Sequence, residues 1–146
     1  MISYESFIGT KTHKLDAKSR LSIPAEMRSD LGNKFYITYG FDKNCLAVRP
    51  IESWNAFMEE IGKLPKSRQD MAIEQFNGHA EIQSLDANGR FVLSEQLRNR
   101  IKAEPKSEVI ILGSSDRIEI WNAPAKKERE EAADSVDWTT AWDDVE

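Results

Sequence analysis

Cysteine and histidine are almost missing from this chain of 146 residues, which contains one cysteine, Cys45, and two histidines, His13 and His79. One cysteine cannot form an internal disulfide, and it cannot build a cysteine zinc site by itself. Each histidine lies a few residues before an aspartate, but two histidines without carboxylates at ligand spacing make a poor metal site. We therefore expect no metal ion and no other cofactor, with both histidines in strands and Cys45 half-buried in a strand.

Long hydrophobic runs are missing as well. No apolar stretch approaches the roughly 18 residues that a membrane-spanning helix needs, and the N-terminus lacks the basic and then apolar pattern of a signal peptide. Hydrophobic residues make up 40% and charged residues 31% of the chain, which is the composition of a soluble globular protein. The sequence thus predicts a cytoplasmic protein that does not bind a membrane.

An overall positive charge, which is typical of nucleic-acid binders, is missing too, because the formal net charge is −5. The negative charge lies at the C-terminal end, where residues 126–146 include three basic and eight acidic residues. Residues 1–125 include 17 of each sign, so that the body of the protein is neutral. The net charge of the whole chain therefore does not exclude DNA as a partner.

What the sequence does contain is a motif of fourteen residues that occurs twice. Residues 15–28 read LDAKSRLSIPAEMR, and residues 85–98 read LDANGRFVLSEQLR. Leu, Asp, Ala and two arginines are identical at a constant offset of 70 residues, and most other apolar positions remain apolar. The repeat indicates two copies of one structural unit, each marginal in stability alone, and we expect the two units to pair.

Each motif begins with a predicted turn that follows a short polar strand. In the first unit Asp16 starts this turn, and an aspartate can accept hydrogen bonds from its own following backbone. In the second unit the corresponding turn contains Asn88-Gly89, a strong hairpin signal because both residues tolerate a positive φ. We expect Asp16, Asp86 and Gly89 to brace the two turns.

After the turn each unit continues with a short strand, a short helix and two further strands. The helices are predicted at about residues 25–31 and 95–101, the first introduced by Pro24 and ended by Gly32, the second capped by Ser94. The predicted class is α+β, mainly β, with two β-β-α-β-β units joined by a helical segment. The predicted domains are residues 5–50 as the first unit, 51–75 as a helical connector, 76–122 as the second unit and 123–146 as an acidic, partly disordered C-terminal tail.

Apolar residues at helical spacing after Pro50 predict that the connector begins with an amphipathic helix, which extends to about Gly62 and either packs on the core or forms part of a groove for a partner. A second helix is expected at about residues 67–75. In the tail, residues 126–133 are predicted to form a solvated helix. Trp138 and Trp142 lie four residues apart in the acidic segment, which either docks on a neighbour or remains disordered.

Further strings accompany the two motifs, with Phe7-x-Gly9 before the first and Gly113-x-x-Asp116-Arg117-Ile118-Glu119-Ile120-Trp121 after the second. A single Asp-x-x-x-Arg turn is a weak signal, but two turns at this spacing with these flanking strings are highly specific. From Phe7 to Trp121 the sequence resembles the MraZ family of bacterial transcriptional regulators.

The resemblance implies two swapped-hairpin, AbrB-like units per chain and a homo-oligomer that closes into a ring of about eight to twelve subunits. It implies a nucleoid-associated regulator, usually a repressor, that binds G-containing direct repeats in double-stranded DNA upstream of a division and cell-wall gene cluster including its own gene. In that family the Asp-x-x-x-Arg turns contact DNA, which by position points to Lys18, Arg20 and Arg90. No small-molecule substrate is implied.

The residue types suit this role. An aspartate that accepts backbone hydrogen bonds within a turn can also orient the arginine four residues later. The guanidinium fork matches guanine O6 and N7 or straddles a phosphate, whereas a lysine suits a phosphate as a point charge.

Within the turns, two positions differ between the copies. Ser19 stands where the second copy has Gly89, so that a positive φ at this position would strain the first turn. Asn88 stands opposite Lys18, and we therefore expect the first unit to bind DNA more strongly than the second.

Two other function classes were compared with this one. In aspartic proteases two aspartates in Asp-Thr/Ser-Gly loops share a proton, but here Asp16 is followed by Ala17-Lys18. We therefore do not expect an enzyme. An oligomeric scaffold of the same fold that binds proteins and no DNA is the alternative that the residues leave open.

Overall fold

The computed structural model describes residues 2–143 and 145. In chain order their elements are β1 (Thr10–Lys14), β2 (Arg20–Ser22), α1 (Ala25–Leu31), β3 (Lys34–Tyr39), β4 (Cys45–Pro50), α2 (Ile51–Gly62), α3 (Lys66–Ala72), a π-helical segment (Ile73–Asn77), β5 (Glu81–Ser84), β6 (Arg90–Val92), α4 (Glu95–Arg100), β7 (Glu108–Gly113), β8 (Ile118–Asn122) and α5 (Ala123–Asp134). The predicted class, α+β with mainly strands, is confirmed.

The helices of the two units begin and end where local chemistry predicts. Helix α1 follows Pro24 and ends at Gly32, which adopts a φ of +82° and donates its N–H to the carbonyl of Arg28 at 3.1 Å. Helix α4 follows Ser94, whose side-chain oxygen accepts a hydrogen bond from the N–H of Leu97 at 3.4 Å. Both helix predictions are confirmed to within one residue.

The connector agrees with the prediction in its first half and departs from it in the second. Helix α2 spans the predicted residues, and its Trp54 and Ile61 are buried. The second predicted helix is α-helical only as far as Ala72, after which the chain widens into the π-helical segment. Neither α3 nor the π-helical segment contains a buried residue.

The tail begins with a helix that is longer and more closely packed than predicted. The side chain of Asn122 caps α5 by accepting a hydrogen bond from the N–H of Ala125 at 2.9 Å. Lys126, predicted to be solvated, is only 9% exposed, and its ammonium lies over the ring of Trp121. The prediction of a partly disordered tail extends to Asp144 and Glu146, which lie outside the described residues.

The strands form a six-stranded sheet in the order β1-β7-β8-β4-β3-β5 and a two-stranded sheet of β2 and β6. All described pairings are antiparallel. The first strand of each unit lies beside the third strand of the other unit, as β1 on β7 and β5 on β3. The pattern is unchanged when the two units are exchanged, so that they interleave in one sheet instead of lying side by side.

One hydrophobic core serves both units. Four pairs of apolar residues at the 70-residue offset are buried in it, namely Leu21 and Phe91, Ile23 and Leu93, Met27 and Leu97, and Leu31 and Ile101. The apolar positions shared by the two motifs are therefore explained by packing, which leaves their polar positions for other roles.

Cys45 does not lie at the half-buried position expected. Its residue is 1% exposed, because β4 is an inner strand of the sheet and Cys45 packs beside Trp121 and Ala123. Burial raises the pKa of its thiol to about 12, so that the thiol stays protonated at neutral pH.

Among the described residues, the helices are all too short or too polar to cross a membrane.

Candidate functional site

The two Asp-x-x-x-Arg turns lie at opposite ends of the two-stranded sheet, because each precedes one strand and the two short strands run antiparallel. In that sheet Leu21 lies opposite Phe91. The carbonyl of Ser19 accepts a hydrogen bond from the N–H of Leu93 at 2.8 Å, and the carbonyl of Gly89 accepts one from the N–H of Ile23 at 3.0 Å. Each turn is thus bonded to the strand end of the other unit.

An aspartate closes each turn through its side chain. Oδ1 of Asp16 accepts hydrogen bonds from the N–H groups of Lys18 at 2.9 Å and Arg20 at 2.8 Å. Oδ1 of Asp86 accepts the equivalent bonds, from Asn88 at 2.8 Å and Arg90 at 3.0 Å. These bonds hold the backbone of the turn in one conformation before any ligand arrives.

The second oxygen of each aspartate contacts the arginine four residues later. Nε of Arg20 lies 2.6 Å from Oδ2 of Asp16, and Nε of Arg90 lies 3.3 Å from Oδ2 of Asp86. Nη1 of Arg90 also lies 4.0 Å from Oδ2 of Asp16, so that this carboxylate stands near both arginines. The arginine side chains are 31% and 26% exposed, which leaves part of each guanidinium open to a ligand.

The two aspartates are ionised. The backbone hydrogen bond from Arg20 is the largest cause that lowers the pKa of Asp16, and its side chain contributes further. The backbone hydrogen bond from Arg90 likewise lowers the pKa of Asp86. A pair of carboxylates that share a proton would instead have one raised pKa, and the geometry therefore gives two separate anions that each hold a cation.

The third residue after each aspartate adopts a left-handed conformation, with φ +60° at Ser19 and +75° at Gly89. A β-carbon added at Gly89 would lie 2.2 Å from Cζ of Arg28, so that the guanidinium of Arg28 fills the space beside that turn. Ser19 carries its side chain in the equivalent position and is 6% exposed.

Sequence reasoning missed two arginines beside the turns, Arg28 and Arg98. Nε of Arg28 donates to the carbonyl of Ile23 at 2.8 Å, and Nε of Arg98 donates to the carbonyl of Leu93 at 3.2 Å. Both are half-buried, and within the described chain neither has a carboxylate partner. The repeat itself could have identified them, because Arg28 and Arg98 are the last pair of identical residues in its two copies.

Lys18 and Asn88, at the same position of the two turns, are exposed. The two turns and the two helix arginines together form what we call the turn surface. It contains five cationic and two anionic side chains, namely Lys18, Arg20, Arg28, Arg90, Arg98, Asp16 and Asp86. Such a surface attracts phosphate groups and offers guanidinium donors for planar acceptors.

The histidines do not join this surface or each other in a metal site. His13 lies in β1, where burial and Lys11 lower its pKa. His79 precedes β5 in the chain. Its ring stacks on the ring of Tyr39, with the ring centroids 4.2 Å apart. The described residues contain no cluster of three or more metal-ligating side chains.

Comparison with known proteins gives a consistent result. The family model described as "MraZ protein, putative antitoxin-like" matches residues 6–77 and again residues 76–136. A protein named "Transcriptional regulator MraZ" from Carboxydothermus hydrogenoformans is 40% identical over 119 residues, which cover 80% of each chain. Proteins of the same name from Alkaliphilus metalliredigens and Clostridium tetani are 38% identical over 120 residues, covering 80% of this chain and 81% of the relative, and 35% identical over 129 residues, covering 86% and 88%.

Proposed function

The chain belongs to the MraZ family, and we propose that it is a transcriptional regulator that binds double-stranded DNA in a sequence-specific manner through its paired Asp-x-x-x-Arg turns. In this proposal it represses the division and cell-wall gene cluster that includes its own gene, acts at the nucleoid in the cytoplasm, and catalyses no reaction. The names of the relatives support the regulatory role.

The observation that carries the proposal is the way in which each turn holds its arginine. Asp16 fixes the backbone at Arg20 and binds the guanidinium through Nε only. Within the described residues Nη1 and Nη2 of Arg20 have no hydrogen-bond partner, and two parallel donors of this kind match O6 and N7 of guanine. A side chain that is already oriented loses little conformational entropy on binding, so that Arg20 and Arg90 are proposed to read base edges in G-containing repeats.

Lys18, Arg28 and Arg98 are proposed to bind the phosphates on either side. Lys18 is exposed and has no carboxylate partner in the described part of the chain, which suits a point-charge contact. Arg28 and Arg98 are held by backbone carbonyls next to the turns. Contacts to phosphates position a protein on the duplex, whereas contacts to bases specify the sequence.

We further propose that the two units are swapped-hairpin, AbrB-like units and that several chains close into a ring. The exchange of β1 and β5 between the units supports the first point. The second follows from affinity, because two arginine turns per chain make few contacts, and repeated sites raise avidity by about 10² to 10⁴ when their spacing matches that of the repeats.

The test is a DNA-binding titration with the region upstream of the protein's own gene. We expect retarded complexes in gel shifts and footprints centred on regularly spaced G-containing boxes, with affinity that falls steeply as salt rises. The matched control is the same fragment with the guanines of the boxes replaced. Equal affinity for both fragments would overturn sequence-specific reading, and an intact oligomer that binds no DNA would favour the protein-binding scaffold.

A further inference from the structure

An apolar groove runs along α3 and the π-helical segment. It has a volume of about 330 Å³, and its lining residues are Leu64, Arg68, Met71, Ala72, Gln75 and Phe76. Met71 is 66% exposed. Neither helical segment has a buried residue, although the ring of Phe76 packs edge-on against those of Phe41 and Phe57.

The groove has a defined charge. At 3.6 residues per turn, Arg68 lies on the same helical face as Met71 and Ala72, whereas Asp70 and Glu74 lie on the opposite face. Among the described residues that line the groove, Arg68 supplies the one charge, and it has no carboxylate partner there. The groove is therefore apolar with a positive rim.

The C-terminal segment after α5 has the complementary properties. Trp138 and Trp142 are 54% and 65% exposed, with their ring centroids 6.2 Å apart. Nε1 of Trp138 donates to the carbonyl of Ala133 at 2.8 Å, which satisfies its polar atom and leaves the ring as an apolar surface. Residues 134–146 include five acidic residues and no basic residue.

We propose that the segment 136–142 of one copy docks into the α3 groove of a second copy, with Trp138 and Trp142 on Met71 and the surrounding acidic residues facing Arg68. Each surface is exposed in its own chain. Both surfaces are apolar, and their charges have opposite sign. Two different surfaces that meet between copies make a head-to-tail contact, which can close into a ring. The segment begins where the family match ends at residue 136, and the contact does not depend on DNA binding.

Tryptophan fluorescence tests the proposal in the full chain. The other two tryptophans, Trp54 and Trp121, are buried, so that acrylamide quenching reports mainly on Trp138 and Trp142. We expect the emission to shift to the blue and the quenching to fall as protein concentration rises. Met71→Asp should abolish both changes, and Arg68→Glu should weaken them. Ile8→Asp, which alters an equally exposed apolar residue elsewhere, is the matched control and should retain both changes.

Mixing two variants distinguishes contact between copies from contact within one chain. The Met71→Asp chain keeps its tryptophan segment, and the Trp138→Ala/Trp142→Ala chain keeps its groove. If the segment docks on a second copy, the mixture regains the blue shift and the protection that neither variant shows alone. No recovery on mixing, docking that is independent of concentration, or wild-type tryptophans that stay fully quenchable would each overturn the proposal. A gel shift on the same variants is read separately, since an Arg20→Ala chain that no longer binds DNA should still dock, which separates failure of the DNA proposal from failure of this one.

Discussion

The two turns have the same hydrogen-bonding pattern and differ in sequence at two positions, 18/88 and 19/89. In the first, Nε of Arg20 lies 2.6 Å from its aspartate, and in the second, Nε of Arg90 lies 3.3 Å from its own. Asp16 stands near both arginines, because Nη1 of Arg90 is 4.0 Å from it. Asp16 therefore contacts the arginines of both turns, whereas Asp86 contacts only the arginine of its own turn.

The remaining differences point in opposite directions. Lys18 gives the first turn a cation that Asn88 does not supply, which favours the first turn in binding. Ser19 places a non-glycine residue at φ +60° in the first turn. This backbone conformation costs serine more free energy than the equivalent conformation costs Gly89. Charge and strain can therefore be separated by exchanging these residues between the turns.

The largest effect is expected from Arg20→Ala, compared with Arg90→Ala. A lost bidentate base contact costs about 1–3 kcal/mol, and an oligomer repeats the loss in every subunit. We expect Arg20→Ala to abolish specific binding in gel shifts while native mass shows an unchanged oligomer, and Arg90→Ala to weaken binding. Unaltered binding by an intact Arg20→Ala oligomer would refute the assignment of the site.

Asp16→Ala should come next, with Asp86→Ala as its partner in the comparison. Asp16 stands near both arginines and Asp86 only near Arg90, so that Asp16→Ala should reduce DNA affinity more. Because both pKa values are lowered, the bracing is complete above the ordinary carboxyl pKa and is lost as pH falls through the lowered pKa. Equal losses in anisotropy titrations of the two variants would contradict a shared carboxylate.

Gly89→Ala should destabilise the fold by about 1–2 kcal/mol, since an L residue pays this cost at a left-handed φ. Its β-carbon would also displace the guanidinium of Arg28, and DNA affinity should fall with stability. Denaturant unfolding measures the first effect. Gly62→Ala is the control, because a β-carbon there meets no atom within 4 Å, and it should leave the free energy of unfolding unchanged or raised.

Exchanging Lys18 and Asn88 should alter the salt dependence of binding. The logarithm of the affinity falls as the logarithm of the salt concentration rises, and each lost phosphate contact makes this slope less steep by about 0.9. Lys18→Asn should show this decrease and Asn88→Lys a similar increase, with the preferred sequence unchanged in both. A change in sequence preference instead would assign Lys18 to a base.

The smallest effect is expected from Ser19→Gly, which removes the cost of a left-handed serine but adds the entropy of a glycine. The net gain in the free energy of unfolding should be about 0.5–1 kcal/mol. Thermal or urea unfolding measures it, with Ser22→Gly, in strand β2, as the control that should lower stability. A loss of stability on Ser19→Gly would show that the buried serine side chain packs better than its backbone conformation costs.

Local features of the fold could be predicted from sequence, and the partners of the strands could not. Helices α1, α2 and α4 follow from proline, serine and apolar spacing, and the apolar positions of the repeat became core residues. The exchange of β1 and β5 did not follow from the strand pattern, because alternating polarity identifies a strand without naming the distant strand beside it, and only the family resemblance implied swapped units.

The site likewise combines features that follow from local sequence with features that depend on distant strand pairing. Bracing by Asp16 and Asp86 depends on neighbours in sequence, and the hydrogen bonds within each turn follow from local turn chemistry. The approach of Arg90 to Asp16 and of Arg28 to Gly89 depends on the exchanged topology. Arg28 and Arg98 fell within the predicted helices and were given no role, although their identity in both repeats was visible.

The interleaved sheet has one further consequence, which concerns direction. Two identical copies of a single unit, exchanging strands in this way, would present two identical turns and would bind a duplex equally well in either orientation. Here one chain supplies both halves, and the halves have become different at residues 18/88 and 19/89. In the proposed complex with DNA, the pair of turns therefore has a polarity along the duplex, and such a protein suits sites that repeat head to tail rather than palindromes, whose symmetry mirrors that of a symmetric protein.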